Sequence, residues 1–501
     1  MKIRASRTIT RRQLLRAAAG GAAGLAATGG VGAILAGALD SPQRNAPRGG
    51  PSTSPEPPLP SQWHTRPDLR IPALGVVRSE PGASRDPIFI APYNAPAGQA
   101  GAVIADNSGQ ALWENPLAGM VTTNFRVQRY RGSPVLTWWQ GSIELGHGVG
   151  EYVIADAGYR TIRRVQAARG LRGDLHEFVI TPRDTALLTS YVVVGADLSA
   201  VSGSRTGTIQ DAIFQEIELS SGRVLLEWHS LDHIGLRESY APVTPDWDFF
   251  HINSVDLDGD GNLLVSGRST HTVYKLDRRG EIVWRLGGKR SDFAMDTGSA
   301  FAWQHHARRQ RDGTLSLLDN GSAPAVEKLS RGLVLALDER AMTATLREQY
   351  THPGILTGSQ GSVQLLANGN VFVGWGEVPR VSEFDRGGRI VFDAVLGESY
   401  QSYRAFRMPW HARPAEAPAI AVVGHGGERA VYASWNGATD VHRWQLLAGA
   451  RGERLAPVAS VRSQGFESAL PVDRAGPLVA VRALDAAGRP LGQSRTLPLA
   501  S

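Results

Sequence analysis

The sequence predicts an all-β protein: a six-bladed β-propeller followed by a C-terminal immunoglobulin- or fibronectin-like β-sandwich. Three observations carry this. First, 57 glycines and 29 prolines in 501 residues suit a turn-rich sheet protein, and beyond the N-terminus apolar residues fall in short runs bounded by Gly, Asp or Asn. Second, two kinds of hairpin turn alternate at a spacing of roughly 50–60 residues; two hairpins per repeat means four strands, the period of a propeller blade. Third, the alternation runs from about residue 63 to 412 and then gives way to a segment of different character.

Residues 1–38 read as an export signal. Thr10-Arg11-Arg12-Gln13-Leu14-Leu15 is a twin-arginine pattern, an uncharged Ala/Gly-rich run follows from Ala17 to Ala38, and Ala36-Gly37-Ala38 resembles a small-residue cleavage site. That run is also long enough to span a bilayer as an uncleaved anchor. Either way the rest of the chain is expected outside the cytoplasmic membrane, extracellular or in the cell envelope. Residues 39–62, dense in Pro and Ser, read as an extended tether.

The formal charge of +6 hints at nucleic-acid binding, but six of the 53 basic residues fall within the first 16 positions, so the remainder balances 47 basic against 47 acidic residues. No nucleic-acid footprint is expected from that balance. The chain has no cysteine, which excludes disulfides, a thiolate nucleophile, Cys-ligated zinc and iron–sulfur clusters.

Within 63–412 the first hairpin type reads Asp-x-x-Gly-x-x-x-aromatic. It runs from Asp106 to Trp113, from Asp277 to Trp284 and from Asp385 to Phe392, with looser copies from Glu218 to Trp228 and at Leu337-Asp338-Glu339-Arg340. Asp caps the turn, Gly takes the positive-φ position, and the aromatic is expected between layers. The second type turns at Arg183-Asp184-Thr185, Asp260-Gly261-Asn262, Asp312-Gly313-Thr314 and Asn368-Gly369-Asn370. About 350 residues at this period give roughly six blades; two stacked sandwiches would not need two turn types in phase. From 413 to 501, short strands such as Ala419–Val423 and Leu478–Asp485 suit a sandwich of accessory role.

Three histidines fall at nearly one phase of the second hairpin type: His176 nine residues before Thr185, His251 ten before Gly261, and His305 eight before Gly313; the fourth copy has Gly361 there. If these open the innermost strands, all three meet at one mouth of a central channel. Asn253, two residues after His251 on an alternating strand, is expected on the same face. Arg268 lies about as far after the turn as His251 lies before it, so it joins them. A lone strand histidine is usually structural; repeat symmetry makes three a candidate site. Three imidazoles could bind a metal such as Zn²⁺. An arginine and an asparagine point instead to the oxygens of sulfate or phosphate, with one imidazole as nucleophile and another moving a proton. The absence of a carboxylate at the same phase weighs against the metal.

His251-Ile252-Asn253-Ser254-Val255, Ser266-Gly267-Arg268, Trp284-Arg285-Leu286-Gly287-Gly288, Phe301-Ala302-Trp303-Gln304-His305-His306 and Leu318-Asp319-Asn320-Gly321, in this order, resemble the bacterial arylsulfate sulfotransferase family over roughly 63–412. The resemblance implies a six-bladed propeller that moves a sulfuryl group between phenols through a sulfohistidine, with no nucleotide donor such as PAPS and no cofactor. It implies His305 as nucleophile, with His306 its rival on the opposite strand face. It implies His251 as an acid/base or sulfate-binding histidine, Asn253 and Arg268 gripping sulfuryl oxygens, and His176 as the remaining histidine. The partners implied are an aryl sulfate and a phenol. The cysteine-free chain departs from family members that carry a disulfide, and its C-terminal domain departs from those with an N-terminal accessory domain. The competing expectations are a non-catalytic extracellular propeller that binds a ligand, and a metal-dependent hydrolase.

Overall fold

The structure, a computed structural model, describes residues 62–71, 74–94, 99–397, 399–424, 429–450, 454–472 and 476–499. The export signal at 1–38 and all but the last residue of the 39–62 tether lie outside the described residues. Among the described residues nearly all regular structure is β, in small sheets with no closed barrel. Among the described residues no helix is long and apolar enough to cross a membrane.

Six sheets lie between Gly75 and Arg407, each built on four antiparallel strands. Sheet 1 is Ile88–Ile90, Gly101–Ala105 and Ala111–Pro116, completed by Phe406–Arg407 from the far end of the segment. Sheet 2 is Val121–Tyr130, Ser133–Glu144, His147–Ala155 and Thr161–Val165; sheet 3 is Phe178–Ile180, Thr185–Ala196, Gly207–Glu218 and Val224–His229. Sheet 4 is Ile252–Leu257, Leu263–Gly267, Thr272–Leu276 and Ile282–Gly287. Sheet 5 is His305–Arg309, Leu315–Asp319, Arg331–Asp338 and Thr343–Tyr350, edged by Ala294–Met295; sheet 6 is Ser362–Leu365, Val371–Gly374, Arg380–Phe384 and Ile390–Val395, edged by Gly75–Ser79.

The two turn types of the sequence are the two hairpins of these sheets. In sheet 4 the inner hairpin turns at Asp258–Asn262, with Gly261 at φ +85°, and the outer at Asp277–Glu281, with Gly280 at φ +89°. Asp277 caps its turn by accepting the Arg279 and Glu281 backbone N–H groups; Asp106 and Asp385 do the same in sheets 1 and 6. The aromatics that follow, Trp113, Trp228, Trp284 and Phe392, are all buried.

Those aromatics join hydrophobic clusters that each span two consecutive sheets. Phe125 and Trp138 meet Phe89 and Trp113 between sheets 1 and 2, and Tyr152 meets Phe178 between sheets 2 and 3. Trp228 meets Tyr274 between sheets 3 and 4, and Trp284 meets Leu333 between sheets 4 and 5. Leu318 meets Val363 between sheets 5 and 6, and Phe392 meets Ile88 between sheet 6 and sheet 1. The series returns to its start. Burying each such side chain contributes about 1.5–3 kcal/mol.

Beneath the candidate histidines a fully buried carboxylate ties four sheets together. Glu177 pairs with Arg126 at 2.9 Å, Arg404 at 3.0 Å, and Arg308. Arg404 also donates to the carbonyls of His176 at 3.0 Å and Asn253 at 2.8 Å, so it sets the backbone of two of the expected site residues.

Two further sheets, Ala419–Val423 with Ala430–Ser434 and Glu467–Leu470, and Arg443–Gly449 with Ala456–Arg462, Leu478–Leu484, Pro490–Gln493 and Leu497–Pro498, share one core around Trp435, Trp444 and Val481. They dock on sheet 1 through Asn436, whose Nδ2 donates to the Glu114 carbonyl at 2.9 Å.

Candidate active site

His176 and His251 stand two residues and one residue before the first strands of sheets 3 and 4, His305 opens the first strand of sheet 5, and the three rings converge. His176 and His251 are 4.7 Å apart between centroids, and His251 and His305 are 6.4 Å apart. A fourth imidazole, His147, lies 5.6 Å from His251 and 6.0 Å from His176. Two phenols close the cluster: Tyr191, 4.0 Å from His147, and Tyr403, 5.5 Å from His176.

The strands do not deliver these groups by simple alternation. His251 has φ +52° and precedes a register shift between Ile252 and Ser254; His306 has φ +58° inside a shift between His305 and Arg308. Bulges of this kind re-aim side chains at a sheet's rim. As a result, the expectation that His251 and Asn253 share a face through a two-residue period is corrected. Asn253 is fully buried, its Nδ2 donates to the Gln304 carbonyl at 2.6 Å, and its Oδ1 has no hydrogen-bond partner. His306 faces Phe406 and accepts the Val363 N–H at 3.4 Å.

Each ring has a partner that fixes its tautomer. His176 Nδ1 donates to Asp174 Oδ2 at 2.6 Å, and His251 Nδ1 donates to Asp248 Oδ2. The same Asp248 oxygen accepts from His147 Nε2 at 3.0 Å. His305 Nδ1 donates to Asn320 Oδ1 at 2.7 Å, and its Nε2 accepts the Gln360 backbone N–H at 3.2 Å. The expectation that no carboxylate shares this phase is therefore also corrected: Asp174 and Asp248 stand two and three residues before their histidines.

Electrostatics keep two of the rings neutral. Burial lowers His251 to about 4, outweighing the pull of Asp248. Burial, with the Arg268 charge, holds His305 well below the ordinary imidazole range. Burial opposes ionisation of Asp248, but the His251 and His147 charges and hydrogen bonds outweigh it and hold the carboxyl well below its usual value. His147 goes the other way: burial lowers it, yet Asp248 wins and the ring is raised.

Arg268 sits at the end of its hairpin, its N–H on the His251 carbonyl at 2.9 Å. Its guanidinium lies 4.9 Å from the Trp303 ring centroid and donates through Nη2 to the Gly358 carbonyl at 2.9 Å; the buried Nε has no partner. A fixed, incompletely paired guanidinium beside neutral imidazoles can bind an oxyanion and present it to a nitrogen lone pair.

All five sequence-derived residues thus lie in or against one cluster, with Asn253 turned toward Gln304. His147, Asp174, Asp248, Tyr191, Tyr403 and the Gln360 amide join the cluster without any mark in the repeat phase, and Asn320, within Leu318-Asp319-Asn320-Gly321, holds the His305 ring. His147 escapes the repeat phase because it follows the Leu145-Gly146 turn of a long hairpin, with φ +49° and +84°. An x-Gly turn between two long strands was its one signal. His147, Asp248 and His251 offer donor atoms within 4.8 Å of one another, a spacing that suits a metal ion as well as a carboxylate accepting two N–H groups.

Residues 126–397, more than half of the chain, match the family model described as arylsulfotransferase (ASST). No curated protein matches the chain. Among solved structures, a protein of unknown function from Bacteroides caccae is 12% identical, covering 64% of this chain and 98% of that one, with a TM-score of 0.41. A protein from Lactobacillus plantarum is 14% identical over 77% of this chain and 100% of that one, with a TM-score of 0.36. Virginiamycin B lyase from Staphylococcus aureus is 9% identical over 82% and 95%, with a TM-score of 0.26. Likeness at this level carries no functional reading.

Proposed function

The chain belongs to the arylsulfotransferase family, and from that premise we propose that it moves a sulfuryl group from an aryl sulfate to a phenolic acceptor, without PAPS, through a sulfohistidine on His305. In this reading the six sheets are the blades of a propeller spanning 63–412, 413–501 is an immunoglobulin-like sandwich, and the protein is exported by the twin-arginine route. Family membership supports aryl sulfotransferase activity in general. The observation that carries the finer reading is a neutral imidazole with its Nδ1 proton fixed by Asn320, beside an arginine whose Nε has no partner.

In the first half-reaction Arg268 holds the sulfate oxygens. The Nε2 lone pair of His305 forms an N–S bond as the S–O bond to the aryl group breaks, and the phenolate departs with the bonding pair. Nδ1 keeps its proton on Asn320, so the positive ring balances one negative sulfuryl charge. The incoming group takes the position on Nε2 held by the Gln360 N–H, so that amide is displaced as the intermediate forms. In the second half-reaction the acceptor oxygen attacks sulfur, its proton passes to His251 Nε2, and the N–S pair returns to His305. Release of that proton to solvent offsets the one taken up by the departed phenolate.

Incubation with a nitrophenyl sulfate and a phenol tests this directly. We expect nitrophenol release and acceptor sulfation without added nucleotide, both lost in His305→Ala. Wild-type protein that releases no nitrophenol contradicts the proposal.

A further inference from the structure

One carboxylate oxygen serves two imidazoles from distant parts of the chain. Asp248 Oδ1 accepts the His251 backbone N–H at 3.0 Å, while Oδ2 accepts His251 Nδ1–H and, at 3.0 Å, His147 Nε2–H. The carboxylate is acceptor-only, so both protons are assigned: His251 must be the Nδ1–H tautomer, with its Nε2 lone pair left for the cluster. His147 packs against Tyr191, and the next residue, Gly148, donates its N–H to Asp174 at 2.6 Å, the carboxylate that orients His176. The turn at 145–148 therefore braces both Asp–His pairs from sheet 2.

We propose that Asp248 is a positioning residue that makes His251 the base of the second half-reaction, and that His147 is the second imidazole that holds Asp248 on line for it. This rests on the sulfuryl-transfer reading above. When the acceptor's O–H bond breaks, its proton joins His251 Nε2 and its oxygen pair forms the new S–O bond. Asp248 then lies against the Nδ1–H of an imidazolium and stabilises it without itself being protonated. An amide in place of the carboxylate keeps one acceptor oxygen and turns its NH2 either on the two imidazole N–H groups or on the His251 backbone N–H, which disfavours the tautomer the base requires. His147 supplies the opposing N–H that keeps Oδ2 from rotating away from His251.

The two half-reactions separate this role from a merely structural one. In Asp248→Asn we expect the burst of nitrophenol, which reports sulfation of the enzyme, to stay within about threefold of wild type. Transfer from the labelled enzyme to the phenol should fall by about 10²–10⁴. His147→Ala should slow the same step by roughly tenfold, and His147→Gln, whose amide nitrogen can take the place of Nε2, should recover most of it. The His147 pair carries the test if Asp248→Asn does not fold, as judged by its thermal melt. Equal loss in both half-reactions, unchanged acceptor transfer, or activity removed by a chelator and restored by zinc overturns the proposal. Wild-type protein that takes no label from the aryl sulfate overturns the sulfuryl-transfer reading itself.

Discussion

At the scale of single residues the site is an arrangement of acceptors that choose tautomers. Asn320 does this for His305, accepting Nδ1–H at 2.7 Å while its own Nδ2 donates to the Gln360 carbonyl at 3.0 Å. Asn320→Ala leaves the buried Nδ1–H with only the longer contact to the Trp303 carbonyl at 3.2 Å, a loss of about 1–3 kcal/mol, so enzyme sulfation should slow by roughly five- to 150-fold. Stopped-flow nitrophenol release measures it, and an unchanged burst rate contradicts the assignment. The sequence brought the three histidines together through their common repeat phase and Arg268 through its distance from the turn of one hairpin, both of which need only local turn chemistry. It could not place Asp248 against His147, because that contact joins residues 101 apart, one opening the third strand of sheet 2 and the other in the segment before sheet 4. Asn253 shows the converse limit. Its position in the hairpin was legible, but the register shift beside it decides where the amide points.

At the scale of the element, the turn before the first strand of sheet 6 stands where sheets 3, 4 and 5 present a histidine. Gln360 has φ +66° and Gly361 φ +100°, and a Cβ on Gly361 would lie 2.2 Å from Leu318 Cδ2. Only glycine fits there, so the missing histidine of that repeat is the consequence of a backbone that must pass close to sheet 5. The main chain supplies the polar contact instead, through the Gln360 N–H on His305. Because the sulfuryl group and this N–H use the same lone pair, the Gln360 amide should exchange with deuterium faster in the sulfated enzyme than in the free one. Equal protection in the two forms contradicts attack by His305 Nε2. The alternating hairpins were readable from the sequence because Asp and Gly mark each turn. The bulges were not, because non-glycine residues at positive φ, such as Asn124, His251 and His306, carry no local signature.

At the scale of the whole molecule, order depends on contacts between distant segments. Phe406–Arg407 pairs with Ile88–Ile90, and just before it Tyr403 and Arg404 reach the site and the Glu177 cluster. Arg404→Met removes one charge from a fully buried pair and should cost about 3–5 kcal/mol, read as a fall in Tm with His176 and Asn253 released together. A Tm within a degree of wild type contradicts that role. The buried neutral rings also set an acid limit. An unfolded imidazole takes a proton near 6.5, whereas His251, and the buried His271 whose N–H bonds the Arg268 carbonyl, do so only at about 4, each lowered first by burial. Between those values the unfolded chain binds more protons, so stability is complete above about 6.5 and falls as pH drops toward 4. A Tm independent of pH across that range contradicts buried neutral histidines. The central claim, that this ring of sheets carries a sulfuryl group on one histidine, is tested most directly by intact-mass analysis after exposure to an aryl sulfate without nucleotide, followed by peptide mapping. One added sulfuryl group, mapped to His305 and discharged by a phenol, is the expected result. No added mass, or a label on His176 or His251 with His305 unmodified, contradicts it.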